Sequence, residues 1–134
     1  MIVISLFQIK YSIMEAKIQF IKGLDEKVLP DVRLTRSRDG STGTATFTFE
    51  DASLFYKTVS PQSEITGMFL IDKEGTLSTR DINAKFVQGK PKTLQAIYIM
   101  KNAEAWDRFM RFMERYSDEN NLTFKRAESL KESN

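Results

Sequence analysis

The residues of this sequence best suited to grip something are the arginines of the run Val32-Arg33-Leu34-Thr35-Arg36-Ser37-Arg38. A guanidinium is a planar fork of donors that takes carboxylates and phosphates two hydrogen bonds at a time. Arg33, Arg36 and Arg38 therefore suit an anionic partner: an acidic protein loop, a lipid headgroup or a single-stranded nucleic acid. The same charges also suit a solvated strand face that blunts a sheet edge. Arg36 shares the parity of Val32 and Leu34, which puts it at the rim of an apolar face, where its fork could clamp a partner carboxylate.

Other chemistries fare worse. Asp72, Glu74 and Asp81 could pair for acid–base work or hold calcium, but their spacing does not match an EF-hand loop. Asp72 and Glu74 fall in an Asp-Lys-Glu-Gly turn, where solvated carboxylates are expected. Asp39-Gly40-Ser41-Thr42-Gly43 lacks the following lysine and helix of a phosphate loop and reads as a hairpin turn. The chain has no histidine, the usual general base and commonest metal ligand. Having no cysteine, it offers no disulfide, thiolate nucleophile or zinc thiolate site. The expectation is a non-enzymatic chain with no catalytic, cofactor-binding or metal-binding residues.

Twenty basic and 18 acidic residues leave a net charge of +2, short of the basic excess expected of a dedicated nucleic-acid binder. A length of 134 residues fits one domain. The longest apolar stretch, Met1 to Ile13, is shorter than the ~20 residues that cross a bilayer. It lacks the basic start and cleavage site of a signal peptide and the arginines of a transit peptide. Residues 1–13 read either as an extra N-terminal strand or as an extension upstream of a start at Met14. The second is favoured, because the orderly pattern begins at Glu15. Residues 14–124 form the expected single domain, and 125–134 a polar, frayed tail.

The elements that must position the arginines are short strands. Ile18 and Phe20 mark a first strand ending before Gly23, and Leu24 to Pro30 reads as a connection. Val32 to Ser37 and Thr44 to Phe49 flank the Asp-Gly turn as a hairpin. In its second strand Ala45, Phe47 and Phe49 take one face, and Thr44, Thr46 and Thr48 the other. Asp51 to Ser63 is irregular, with Asp51 suited to cap a short helical turn over Ser53 to Lys57. Gly67 to Ile71 is a strand. Thr76 to Val87 reads as one long strand bent near Arg80-Asp81, where the parity of its apolar anchors changes. Leu94 to Met100 is the last strand.

Asn102 then caps an amphipathic helix whose Trp106, Phe109, Met110, Met113 and Ser117 recur at helical spacing and read as core. Glu104–Arg108, Asp107–Arg111 and Arg115–Glu119 are placed for ion pairs along its outer face. The helix is expected to stop near Asn120-Asn121. The fold class predicted is α+β: a mainly antiparallel β-sheet of hairpins with a long C-terminal α-helix packed on one face. Such a sheet leaves two borders, and an extended peptide can bind by adding a strand to one of them. The expected partner-binding set is Arg33, Arg36 and Arg38 with the threonine face Thr44, Thr46 and Thr48.

The run Asp31-Val32-Arg33-Leu34-Thr35-Arg36-Ser37-Arg38-Asp39-Gly40-Ser41-Thr42-Gly43-Thr44-Ala45 resembles the signature of a photosystem II assembly-factor family, the Psb proteins numbered twenty-eight. The likeness continues in Ile18 to Gly23, in Glu64 to Met68 and in Trp106 to Tyr116, and spans roughly Met14 to Phe124. Residues 1–13 have no counterpart, and the loop 51–63 is more aromatic than the family pattern.

The resemblance implies a factor peripheral to the thylakoid membrane, on the stromal side in chloroplasts or the cytoplasmic side in cyanobacteria. Its implied partners are the photosystem II core antenna chlorophyll protein and reaction-centre loops of an immature complex. Contact is implied to be with protein rather than by lipid insertion, through extension of the sheet, with no small-molecule substrate and no nucleic acid. The competing reading is an RNA or single-stranded nucleic-acid binding module that stacks bases on Phe47 or Phe49.

Overall fold

The computed structural model describes residues 15–53 and 65–123. In chain order they form β1 (Lys17–Ile21), β2 (Leu24–Asp25), β3 (Asp31–Arg36), β4 (Gly43–Glu50), β5 (Met68–Asp72), β6 (Gly75–Thr79), β7 (Ile82–Val87), β8 (Lys90–Met100) and α1 (Ala103–Glu119). The strands make two antiparallel four-stranded sheets rather than one. Their orders are β2-β1-β5-β6 and β3-β4-β8-β7. The α+β class holds, with the helix laid over both sheets.

Period-two patterning explains the division of β4. Gly43, Ala45, Phe47 and Phe49 are buried, while Thr44, Thr46 and Thr48 are half-buried on the opposite face. Phe49 meets Phe20 of the other sheet edge-on at 5.0 Å, so the core lies between the sheets. Phe109 of α1 completes it, edge-on to Phe47 at 6.0 Å and stacked on Tyr98 at 5.3 Å. Truncating a ring such as Phe47, fully excluded from solvent, costs about 3–5 kcal/mol.

Two expectations need correction. The connection after Gly23 contains β2, whose Leu24 and Asp25 fold back on Ile21 and Gln19. The stretch from Thr76 to Val87 is two strands in different sheets. At Arg80-Asp81 the chain leaves β6 and enters β7, held there by Thr79 Oγ1 donating to the Ile97 carbonyl at 2.6 Å and by Ile97 N–H donating to the Asp81 carbonyl at 2.9 Å. The parity change at this point marks a change of sheet rather than a bulge within one strand.

The turns and the helix ends follow local chemistry. Gln88 and Gly89 both have positive φ, 53° and 78°, as a tight hairpin turn whose twist matches its strands requires. Asn102 Oδ1 accepts from the Ala105 N–H at 2.8 Å, capping α1, and Asn121 ends it in the left-handed region. Phe109, Phe112, Met113, Tyr116 and Ser117 are buried, and Trp106 and Met110 pack beside them, so the helical stripe is core. The helical turn expected over Ser53 to Lys57 falls mostly outside the described residues, as do the N-terminal stretch 1–13 and the tail 125–134.

Candidate functional site

β4 is an interior strand, paired with β3 from Gly43 to Thr48 on one side and with β8 along its whole length on the other. Thr44, Thr46 and Thr48 therefore offer side chains but no free backbone. The borders of their sheet are β3 and β7, and among the described residues each is paired on one side only. Cross-strand register puts Arg33 beside Thr46, Thr35 beside Thr44 and Asp31 beside Thr48, so the threonine face continues onto β3. A depression of about 670 Å³ opens there, walled by Leu29, Asp31, Arg33, Thr46, Thr48 and Glu50.

Hydrogen-bond alternation identifies which groups of β3 are available. Ser37 N–H donates to the Thr42 carbonyl at 2.9 Å, closing the hairpin. Bonded pairs in an antiparallel ladder recur at every second residue, so Thr35–Thr44 and Arg33–Thr46 exchange bonds. The N–H and C=O groups of Val32, Leu34 and Arg36 then point away from β4, toward the open border.

The three arginines do not form one patch. Arg33 lies on the threonine face with its side chain 86% exposed, 3.6 Å from Asp31. Arg36 lies on the opposite face, where its guanidinium stacks on the Trp106 ring at 4.6 Å and donates to the Gly40 carbonyl at 3.1 Å through Nη2. Arg38 sits exposed in the turn. All three are nonetheless strung along one border, Arg33 and Arg36 flanking it from its two faces.

The turn beneath them is built for rigidity. Asp39 accepts from the Ser41 N–H, the Ser41 hydroxyl and the Ser37 hydroxyl at 3.0, 2.7 and 2.8 Å. These bonds, the Ser41 N–H foremost, hold its carboxyl down at about 2. Gly43 has to be glycine because a Cβ there would overlap the Trp106 ring.

The carboxylates of the β5–β6 turn are not the solvated groups expected of them. Asp72 has no side-chain exposure and accepts from Arg108 Nη2 at 2.7 Å, Arg108 Nη1 at 3.0 Å and Arg115 Nη1 at 2.9 Å. Glu74 accepts from Arg111 Nε and Nη2, both at 2.9 Å, and from Arg115 Nη1 at 2.6 Å. Burial alone would raise the Asp72 pKa, but the Arg108 and Arg115 hydrogen bonds outweigh it and leave the group below its ordinary value. The Arg111 hydrogen bond, with that of Arg115, takes Glu74 down to about 2.

This network replaces the ion pairs expected along the helix itself. Its signal was present in the sequence: Arg108, Arg111 and Arg115 recur at the three- and four-residue spacing of a contact face. The arrangement pins α1 to the first sheet, and among the described residues no group of three acidic, histidine or cysteine side chains is placed to hold a metal. Asp81, the third carboxylate considered, stands exposed at the change of sheet. Phe47 and Phe49 have no exposed surface, so they are closed to the base stacking that the nucleic-acid reading needs.

Comparison with known proteins shows the family. A family model described as Psb28 protein matches residues 18–124. The Photosystem II reaction center Psb28 protein of Trieres chinensis is 69% identical over 114 residues, covering 85% of this chain and 99% of that protein. The protein of the same name from Phaeodactylum tricornutum is also 69% identical over 114 residues, with the same coverage. The one from Nostoc punctiforme is 57% identical over 113 residues, covering 84% of this chain and 98% of its own. The border strand β3 and the hairpin turn that carries the arginines lie inside the matched region, and the chain belongs to the Psb28 family.

Proposed function

We propose that this chain is a non-enzymatic photosystem II assembly factor that binds an immature complex by accepting a partner segment as an added strand alongside β3. The observation that carries the reading is the open border of β3, where the backbone groups of Val32, Leu34 and Arg36 face outward. Backbone bonds give direction and register, and the depression beside the threonine face takes alternate side chains of the added segment. Arg33 on one face and Arg36 on the other would meet acidic side chains of opposite parity, with Arg38 at the turn. Such charges raise the association rate and fix the register more than they raise affinity.

The names of the relatives support photosystem II as the setting. The partners we assign are the core antenna chlorophyll protein and reaction-centre loops, met on the stromal or cytoplasmic side of the thylakoid membrane. No helix among the described residues is long and apolar enough to cross a membrane, which fits a peripheral attachment.

Hydrogen exchange of the chain bound to the isolated core antenna subcomplex tests the mechanism. The amides of Val32, Leu34 and Arg36 should become protected, while those of Arg33 and Thr35, already bonded to β4, should change little. Unaltered exchange at the three outward amides would remove strand addition at this border. Arg33→Glu should lower capture of the subcomplex about tenfold without unfolding the domain.

A further inference from the structure

At the other border of the same sheet stands a feature that partner docking along β3 does not use. The β7–β8 hairpin reverses at Gln88-Gly89, and next to the turn Phe86 and Val87 are 62% and 57% exposed. They are the two adjacent large apolar residues left exposed in the described chain, and neither joins the core. Being consecutive on a strand, they project from opposite faces of the ribbon. The hairpin also overhangs its sheet. β4 ends its pairing with β8 at Glu50 opposite Thr93, whereas β7 continues to pair with Pro91 and Lys90.

Charge completes the picture. From Ile82 to Lys92 the sequence contains Lys85, Lys90 and Lys92 and no acidic residue. Lys92 is paired with Asp51 at 3.0 Å, while Lys85 and Lys90 make no ion pair among the described residues. The depression at the β3 border differs in having Asp31 and Glu50 in its wall.

We propose that this hairpin tip is an anchor for an anionic lipid surface, with Phe86 and Val87 entering the interface and Lys85 and Lys90 lying at the headgroups. An apolar tip with side chains on both faces fits immersion better than it fits a protein groove, which would cover one face and leave the other wet. Lysines beside buried apolar groups are the arrangement that binds bilayers with negative surface potential. Two apolar side chains and two lysines make a weak anchor by themselves. Joined to a second contact in the same molecule, they raise the overall avidity and fix the orientation of the domain on the membrane. The tip is independent of strand addition at β3, and the two can fail separately.

Co-sedimentation of the full chain with vesicles of equal parts phosphatidylglycerol and phosphatidylcholine, and with vesicles of phosphatidylcholine alone, tests this. The chain should bind the anionic vesicles more tightly and lose that preference in high salt. Phe86→Ser with Val87→Ser should weaken binding about tenfold. Lys85→Gln with Lys90→Gln should weaken it about fivefold per lysine and flatten the salt dependence. Coincident thermal melts would show that the variants are folded, and Arg33→Glu should bind vesicles as the parent does. Three results would each overturn the proposal: no vesicle affinity in the parent, full affinity in the Phe86/Val87 variant, or an equal loss with Arg33→Glu. The last would mean that net charge, not the tip, does the binding.

Discussion

Six arginines divide between two regions of this molecule, and the division separates those held by acids of another element from those that are not. On α1, Arg108, Arg111 and Arg115 are saturated by Asp72 and Glu74, carboxylates brought from the β5–β6 turn. Along the β3 border, Arg33 has one distant and exposed acid, Arg36 leans on an indole, and Arg38 makes no ion pair among the described residues. Residue type and local density are alike in the two places. What differs is whether the fold delivers a buried carboxylate from another element.

The largest test of that contrast is Asp72→Ala. It leaves Arg108 and Arg115, each less than a fifth exposed, without their buried acceptor, and should destabilise the domain by about 3 kcal/mol in urea denaturation. Arg33→Glu should change stability by less than about 0.5 kcal/mol in the same experiment. Equal losses would break the comparison.

Acid gives a second test. Glu74 releases its proton more readily in the folded chain, at about 2, than at its ordinary 4.5. Its contribution to stability is therefore complete above pH 4.5 and disappears as the pH falls through that interval toward 2. Glu74→Gln should flatten the dependence of stability on pH within this window. Asp72 is also lowered and adds to the loss in the same direction.

The smallest effect belongs to Arg36. Arg36→Ala removes a guanidinium from the face of Trp106 and should cost about 0.5–1 kcal/mol. Because Trp106 is the only tryptophan, its emission should shift to longer wavelength as the ring gains water. A shift without much destabilisation would mark Arg36 as a residue that the fold can spare.

The sequence made the β3–β4 hairpin legible because there local chemistry and tertiary structure agree. Ala45, Phe47 and Phe49 alternate with threonines, Asp-Gly supplies the turn, and β4 is buried on the face that pattern selects. The helix was legible for the same reason, since Asn102 and the stripe from Trp106 to Ser117 are local signals. The division into two sheets was not. β6 and β7 are both polar and follow one another directly, and only the pairing of β6 with β5 and β7 with β8 separates them. Asp72 misled for a related reason. A carboxylate in a turn looks solvated until the helix that covers it is placed, and Arg108 lies thirty-six residues further along the chain. The site was half legible: the three arginines are readable as a run, but strand parity sends Arg33 and Arg36 to opposite faces.

The placement of α1 also governs when this protein can exist. Phe109, Phe112, Met113 and Tyr116 close the space between sheets made from segments that leave the ribosome earlier. Until the helix has emerged, the faces of Phe47 and Tyr98 that Phe109 covers stay open, and the nascent chain is exposed to association through those surfaces. Folding is thus completed after synthesis of the strands, with the helix as its latch.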